Sequence, residues 1–295
     1  MFSRNRITSL VVASLLILVG CGESVEPTTE ATPLLSEVLM LPIEGANLEA
    51  KLWGTGEVVI AIPGLGRDVA YFDMVAPLIA SAGYQFVALN PRGIGNSTGS
   101  LENLTLDILA QDVANAIQAL GVEKAHLLGW AFGNRVARTV AQNHPQQVSS
   151  VILMAAGGLV PPSTEVLRAL QLSRTEQDID EPTRIQALRD SLYAPMSDIS
   201  ALLATVQPGT WPEARLAQQT ALRGGNVDHW WAGGTAPMLI IQGRHDVLAP
   251  AENGIALEKE FPNRAKLVWI EDAAHMMLIE QPAMVAEQIV EYLSG

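Results

Sequence analysis

One short segment in the middle of the chain has the spacing of a site for nucleophilic chemistry. A predicted strand at 126–128 leads directly into Gly129-Trp130-Ala131-Phe132-Gly133, and a helical pattern follows. Glycines two residues on either side of a central position let a strand turn sharply into a helix, which leaves the central side chain exposed at the helix N-terminus. A serine there would be a nucleophile. Alanine has no hydroxyl, so no acyl-enzyme can form at Ala131.

The alanine at position 131 can be interpreted in several ways. Ser97 or Ser100, in a loop after another predicted strand, could supply a displaced nucleophile, although turn roles are favoured for both. A native serine could have been exchanged for alanine by design, but a chain prepared for that purpose would normally lack a leader. The site could also be the remnant of an enzyme that has lost its activity. A natural alanine is our preferred interpretation.

The first 21 residues predict a secretory leader. Arg4 and Arg6 precede an apolar stretch from Ile7 to Val19 that is too short to span a bilayer comfortably. The segment that ends in Cys21 looks like a bacterial lipobox, whose cysteine is lipidated and becomes the mature N-terminus. An uncleaved signal anchor or an ordinary buried cysteine are the alternatives. We expect a lipid-anchored protein whose domain lies outside the cytoplasm, on the periplasmic or extracytoplasmic face.

Composition limits the partners of this chain. Its 295 residues are 48% hydrophobic and 17% charged, and 18 Lys and Arg against 31 Asp and Glu give a net charge of −13. This acidity disfavours nucleic acid and anionic lipid surfaces, so the lipid anchor is the expected membrane contact. Cys21 alone can form neither an intramolecular disulfide nor a thiolate cluster. We predict no metal, no cofactor and a small-molecule substrate or ligand, and the oligomeric state is left undetermined.

Short apolar runs alternate with amphipathic segments, which predicts an α/β domain with a mostly parallel, eight-stranded sheet flanked by helices. The predicted strands are 38–43, 48–53, 58–62, 86–89, 126–128, 151–154, 238–241 and 267–270. The predicted helices of this core are 71–82, 105–120, 132–143, 251–260 and 283–293.

The alternation is interrupted in one interval that is rich in helix formers and prolines, which predicts an inserted helical cap. The predicted organisation is a signal peptide and lipobox at 1–21, a Pro/Thr/Glu-rich flexible tether at 22–37, a first core part at 38–157, the cap at 158–232 and a second core part at 233–295.

From Val38 to Gly295 the chain resembles the α/β-hydrolase family. The resemblance rests on the elbow spacing and on the segments PGLG at 63–66, GRHD at 243–246 and AAH at 273–275. It implies that Asp246 is the acid and His275 the base of a catalytic triad whose nucleophile position is Ala131. It also implies that the amides of Leu65 and Phe132 form the oxyanion hole.

The chain departs from the family pattern at three positions. Ala131 replaces the serine, Pro63 stands where many members have histidine, and Asn90 stands where aspartate commonly precedes the turn PRG at 91–93. Only the first departure removes a group that the usual mechanism needs.

Other residues with suitable chemistry receive structural roles. These are His126, His144, His229 and His245, with Met276 and Met277 as packing residues near the site. Trp230 and Trp231, at the end of the cap, could line the pocket.

Two functions follow from these observations. The leading hypothesis is a hydrolase of a small activated substrate, in which Asp246 and His275 act on water or on the substrate directly. The family also includes cofactor-free dioxygenases in which the histidine serves as a base, so serine chemistry is not required. The alternative is a catalytically inactive protein that binds an apolar small molecule or a protein partner. A hydrogen-bonded pair that faces a void above Ala131 would favour the first.

Overall fold

The computed structural model describes residues 35–174, 178–206 and 209–295. Cys21, the leader and nearly all of the predicted tether lie outside these residues, so the lipidation prediction stays a prediction. Within the described ranges, every helix is too short or too polar to cross a membrane.

The centre of the fold is a sheet with the strand order β1-β2-β4-β3-β6-β7-β8-β9, to which β5 adds by pairing with β2. From β4 to β9 along this order all neighbours are parallel, whereas β2 runs antiparallel to β1, β4 and β5. The strands are β1 Glu37–Ile43, β2 Ala46–Trp53, β3 Glu57–Ile62, β4 Tyr84–Leu89, β5 Thr98–Gly99, β6 Ala125–Trp130, β7 Val148–Met154, β8 Met238–Gly243 and β9 Ala265–Ile270.

The mostly parallel α/β sheet predicted from the sequence is confirmed, and the described residues form nine strands rather than eight. The additional strand, β5, has two residues. It carries no apolar pattern because it does not enter the core, so periodicity could not have revealed it. Strands β6 and β8 are buried along their whole length, as expected where helices cover both faces of a sheet.

Helices pack on both faces of the sheet. Apolar side chains of α2, α3 and α9 contribute to the core on one face, and those of α1, α10 and α11 contribute to the core on the other. The core helices are α1 Ala76–Ser81, α2 Leu106–Ala119, α3 Phe132–Asn143, α9 Glu252–Glu260, α10 Met277–Glu280 and α11 Pro282–Ser294.

The prediction of a single helix at 71–82 is wrong. The chain forms a 3₁₀ turn at Val69–Phe72 and then the short helix α1. Asp68 caps the 3₁₀ turn through a hydrogen bond from the amide of Ala70, and Pro77 lies in the first turn of α1, where a missing N–H is tolerated. These two local signals divide the segment.

Between β7 and β8 the described part of the chain forms five helices. They are α4 Thr164–Leu172, α5 Glu181–Arg189, α6 Ile199–Thr205, α7 Pro212–Gly224 and α8 Val227–Trp230. Four of them begin with a side-chain cap, as Ser163, Asp180, Asp198 and Asn226 each accept a hydrogen bond from a first-turn amide.

Candidate active site

Ala131 occupies a backbone conformation that L-residues rarely adopt. It stands between β6 and α3 with φ 51° and ψ −108°. Holding a residue other than glycine in such a sparsely populated region costs about 1–3 kcal/mol. The strained turn of a nucleophile elbow is therefore present although the residue in it has no nucleophilic group. Ala131 is half-buried and packs against the core on the α1 side of the sheet.

The glycines on either side of Ala131 are needed for close backbone contact. A Cβ on Gly129 would lie 2.4 Å from the Cα of Asn134, and a Cβ on Gly133 would lie 2.1 Å from the carbonyl oxygen of Ile62. Hydrogen bonds fix the same turn. The amide of Ala131 donates to the carbonyl oxygen of Met154 at 2.9 Å, and the side chain of Asn134 donates to the carbonyl oxygen of Ala131.

Asp246 and His275 are paired. The Nδ1 of His275 lies 3.0 Å from one carboxylate oxygen of Asp246 and 3.2 Å from the other. The carboxylate is also held by the amides of Leu248 and Ala249, at 2.9 and 2.8 Å. A neutral imidazole that donates from Nδ1 to a carboxylate carries its lone pair on Nε2, where it can accept a proton.

Side chains from two other parts of the chain hold the loop that carries His275. Trp130, which precedes the elbow residue, donates from its indole nitrogen to the carbonyl oxygen of His275 at 3.0 Å. Glu280 accepts from the amide of Ala274 at 2.8 Å through one oxygen. Its other oxygen accepts from the amide of Ala194 at 2.7 Å. The histidine loop is thereby tied to the elbow and to the segment between β7 and β8.

The two amides predicted to form an oxyanion hole belong to adjoining turns. Leu65 follows β3, and Phe132 is the first residue of α3, so the helix makes no use of its amide. Strands β3 and β6 are parallel neighbours, which brings their carboxyl ends together. Helix α7 contacts the first turn, because Gln218 accepts a hydrogen bond from the amide of Gly66 at 2.7 Å.

Aromatic side chains surround Trp130 and the histidine. The ring of Trp130 lies 5.2 Å from that of Tyr71 and 5.9 Å from that of His275. Burial raises the pKa of Tyr71. Burial, with a smaller effect of the nearby Tyr71, raises the pKa of Tyr193 as well. Both phenols are therefore neutral at pH 7.

The serines considered as displaced nucleophiles have hydrogen-bonding roles in turns. The hydroxyl of Ser97 donates to the carbonyl oxygen of Asn90 and accepts from the amide of Glu49, both at 2.8 Å. The hydroxyl of Ser100 accepts from the amide of Glu102 at 3.2 Å.

The remaining predicted residues take different positions. His245 is exposed beside Asp246, and His126 contacts Ser150 and Glu57. Met276 and Met277 are buried. His144 follows the last residue of α3. His229 pairs with Asp107 at 3.3 Å, on a surface groove of about 500 Å³ between the loop at 103–107 and the segment 220–230.

Trp230 and Trp231 pack around Arg138, in the core on the α3 side of the sheet, whereas Trp130 and Met276 belong to the core on the other side. We therefore do not assign these two tryptophans to the surroundings of His275.

Sequence reasoning missed five residues that support or adjoin the site: Trp130, Glu280, Gln218, Arg135 and Arg138. Trp130 was within the elbow motif, so its position was available. No sequence pattern marks the others, because their partners lie far along the chain, as with Gln218 and Gly66.

Two family models match parts of the chain. Residues 57–181 match a family model described as alpha/beta hydrolase fold, and residues 210–295 match one described as TAP-like protein. A pimeloyl-[acyl-carrier protein] methyl ester esterase of Aeromonas hydrophila is 26% identical over 275 residues, which cover 84% of this chain and 100% of that protein.

A 2-hydroxy-6-oxo-6-phenylhexa-2,4-dienoate hydrolase of Burkholderia cepacia is 26% identical over 71% of this chain and 78% of that protein. Among solved structures, an esterase from Exiguobacterium antarcticum superposes with a TM-score of 0.72 at 20% identity and covers 88% of this chain and 100% of that one. The chain therefore has the fold of the α/β hydrolases, and its residues 57–181 match the family model described by that fold.

Proposed function

We propose that this protein is a hydrolase of a small activated substrate that works without a serine nucleophile. The observation that carries the proposal is the buried pair in which Asp246 orients His275 with Nδ1 at 3.0 Å from the carboxylate. The carboxylate side chain has no exposed surface, and two backbone amides satisfy it further. A carboxylate that accepts from Nδ1 leaves Nε2 of the imidazole as the proton acceptor, which is the arrangement of a general base.

In the proposed reaction the pair activates water. The Nε2 of His275 takes a proton from a water molecule whose oxygen bonds to the carbonyl carbon of the substrate. The oxygen that becomes negative is stabilised by the amides of Leu65 and Phe132. Collapse of the adduct breaks the bond to the leaving group, which receives the proton from the imidazolium. No step requires a covalent bond to Ala131.

The range of substrates that such a site can hydrolyse is limited. An oxyanion hole with binding alone accelerates acyl transfer by roughly 10³ to 10⁴-fold over water. That acceleration suffices for an ester with a good leaving group and falls far short of what a stable amide needs. The activities for which the relatives are named, an ester esterase and a dienoate hydrolase, are compatible with an electrophilic carbonyl substrate.

The test is turnover of p-nitrophenyl acetate by the purified protein and by two matched histidine variants. His275→Ala removes the base and should lower the rate about 100-fold or more, to the level that the oxyanion hole and binding alone support. His245→Ala removes an exposed imidazole beside Asp246 and should leave the rate within about twofold. Equal rates in all three proteins would reject the proposal. A wild-type rate at the buffer level, in a protein that still binds an apolar ligand, would favour the inactive binding protein.

We further propose that Cys21 is lipidated and that the domain acts at a membrane surface outside the cytoplasm. The order of basic residues, apolar stretch and lipobox supports this. Metabolic labelling with a palmitate analogue should mark the wild-type protein in its host, and Cys21→Ser should abolish the label. Equal labelling of both forms would reject the anchor.

A further inference from the structure

Two arginines of α3 lie within the protein without an acidic partner. In the described residues, neither Arg135 nor Arg138 forms an ion pair with a carboxylate, although the chain has 31 Asp and Glu. Elsewhere, Arg92 pairs with Asp112 at 2.5 Å. Burying a cation without compensation costs several kcal/mol. The two α3 arginines therefore need separate explanations.

Arg138 is fully buried and has a structural role. Its guanidinium donates to the carbonyl oxygen of Gly157 and to the side chain of Asn134, both at 2.6 Å, and to the carbonyl oxygen of Trp231. It also lies over the rings of Trp230 and Trp231. Arg138 thus connects α3 to the segments that flank α4–α8 in the chain.

Arg135 has no such set of bonds. Its guanidinium lies 5.7 Å from the ring of Trp230, and its Nε is shut off from solvent and has no acceptor among the described residues. The side chain as a whole is only half-buried. Burial lowers the pKa of its guanidinium to about 10, so the group is still a cation at pH 7. An unsatisfied, partly accessible cation is prepared to receive an anion.

The position of Arg135 relates it to the candidate active site. Its neighbour Asn134 donates to the carbonyl oxygens of Ala131 and Ala155. The guanidinium lies against Gly157, where an added Cβ would be 2.9 Å from Nη2. Gly157 follows β7. The last residue of that strand, Met154, accepts a hydrogen bond from the amide of Ala131 through its carbonyl oxygen. Arg135 therefore lies at the same edge of the sheet as the elbow, one helical turn further along.

We propose that Arg135 binds a carboxylate group of the ligand, so that the site takes small molecules with an acid group near the reacting carbon. Arginine offers two parallel N–H groups that match the two oxygens of a carboxylate. Arg135 follows Ala131 by four residues, which is about one turn of α3. The proposal names the ligand class of the hydrolase site proposed above and in that respect rests on it.

The test compares two stable anilides that differ in one terminal group, N-phenylglutaramate with a carboxylate and N-phenylpentanamide with a methyl group. Neither has a leaving group that the proposed chemistry could expel, so affinity is measured without turnover. Isothermal titration at pH 7 should give at least about tenfold tighter binding of the carboxylate to the wild-type protein.

Three variants assign the preference. Arg135→Gln should reduce the affinity ratio to about one, and Arg135→Lys should keep part of it. Lys124→Gln removes one positive charge from an exposed position before β6, at the opposite edge of the sheet, and should leave the ratio unchanged. Circular dichroism confirms folding of each variant, and the Lys variant tests the charge if the Gln variant does not fold.

Equal affinities of wild type for the two anilides, binding of neither, or an unchanged ratio in Arg135→Gln would overturn the proposal. A carboxylate preference that depends on Arg135 in a protein without esterase turnover would support the anion site and reject the hydrolase. Esterase turnover without a carboxylate preference would support the hydrolase and reject the anion site.

Discussion

The indole nitrogen of Trp130 donates a hydrogen bond to the carbonyl oxygen of His275 at 3.0 Å. The residue that precedes the elbow position and the histidine that would act beside it are therefore fixed to each other through a buried contact, 145 residues apart in sequence. This contact couples the placement of His275 to the packing of the elbow, independently of the residue at position 131.

Replacing Trp130 with phenylalanine should weaken both the fold and the site. The bond to His275 is lost, and its buried carbonyl oxygen loses a donor, which costs about 1 kcal/mol or more in the free energy of unfolding. Urea denaturation and p-nitrophenyl acetate turnover measure the two effects. Trp231→Phe is the control, since its indole donates to Glu260 and not to the histidine loop. If Trp231→Phe lowered turnover as much as Trp130→Phe, the coupling between the elbow and His275 would be contradicted.

Restoring a hydroxyl should restore serine chemistry. In Ala131→Ser the new Oγ stands in a turn of elbow conformation, in a protein whose His275 is already held by Asp246. We expect a fluorophosphonate probe to label this variant, which should also release a burst of p-nitrophenol. The wild-type protein should stay unlabelled, so its other serines serve as an internal control.

The double variant Ala131→Ser, His275→Ala should not be labelled, because the hydroxyl would lack its base. A folded Ala131→Ser protein that does not react would show that the pair and the elbow are not aligned for this chemistry.

Glycine at position 131 should stabilise the protein. The φ of Ala131 is 51°, and glycine adopts positive φ without the steric penalty of a Cβ. We expect Ala131→Gly to raise the free energy of unfolding by up to about 1 kcal/mol. Ala137→Gly makes the same chemical change inside α3, where it should lower the free energy of unfolding by about 1 kcal/mol or more. Equal destabilisation by both changes would refute the assigned strain.

An added methyl group at Gly133 should disrupt the start of α3. Its Cβ would lie 2.1 Å from the carbonyl oxygen of Ile62, so backbone must move. We expect Gly133→Ala to lower the free energy of unfolding by about 2 kcal/mol or more. Gly224→Ala places its Cβ where no atom lies within 4 Å and should be neutral or slightly stabilising. Thermal unfolding of the two variants measures the difference, and equal stabilities of Gly133→Ala and Gly224→Ala would contradict the prediction.

The two arginines of α3 should respond oppositely to loss of charge. Arg138→Met removes hydrogen bonds to Gly157, Trp231 and Asn134, and should lower the free energy of unfolding by about 2 kcal/mol. Arg135→Met removes a half-buried cation without an acidic partner among the described residues. This change should raise the free energy of unfolding by about 1 kcal/mol. Denaturant titration of both variants tests the difference in sign, and a loss of stability in each would argue that Arg135 is also structural.

The parallel sheet was predictable because its strands are short apolar runs, and α3 was predicted to the residue because Gly133 and the helical pattern mark its start. The predicted strand at 151–154 was too short, since β7 begins at Val148. Val148 and Ser150 extend the ladder at its amino end, and Ser149 lies at a register shift between them, where the apolar pattern is interrupted. Strand pairing continues beyond the apolar run, and periodicity cannot detect that.

The positions of Asp246 and His275 were predicted because the segments GRHD at 243–246 and AAH at 273–275 resemble those of the α/β-hydrolase family. What the sequence could not supply are the contacts made across the chain. Glu280 accepts bonds from Ala194 and Ala274, and Gln218 accepts from Gly66, yet each is an ordinary helix residue in the sequence. Tertiary hydrogen bonds of this kind carry no local pattern.

The backbone at Ala131 also bears on how this protein can change by mutation. Replacing the first base of any alanine codon, G, with T gives a serine codon, so one mutational step separates this site from a hydroxyl-bearing elbow. The turn, its glycines and the Asp246–His275 pair would already be in place for the new side chain. A population that carries this gene could therefore gain or lose serine chemistry by a single point mutation. No further change in the backbone of the elbow would be needed.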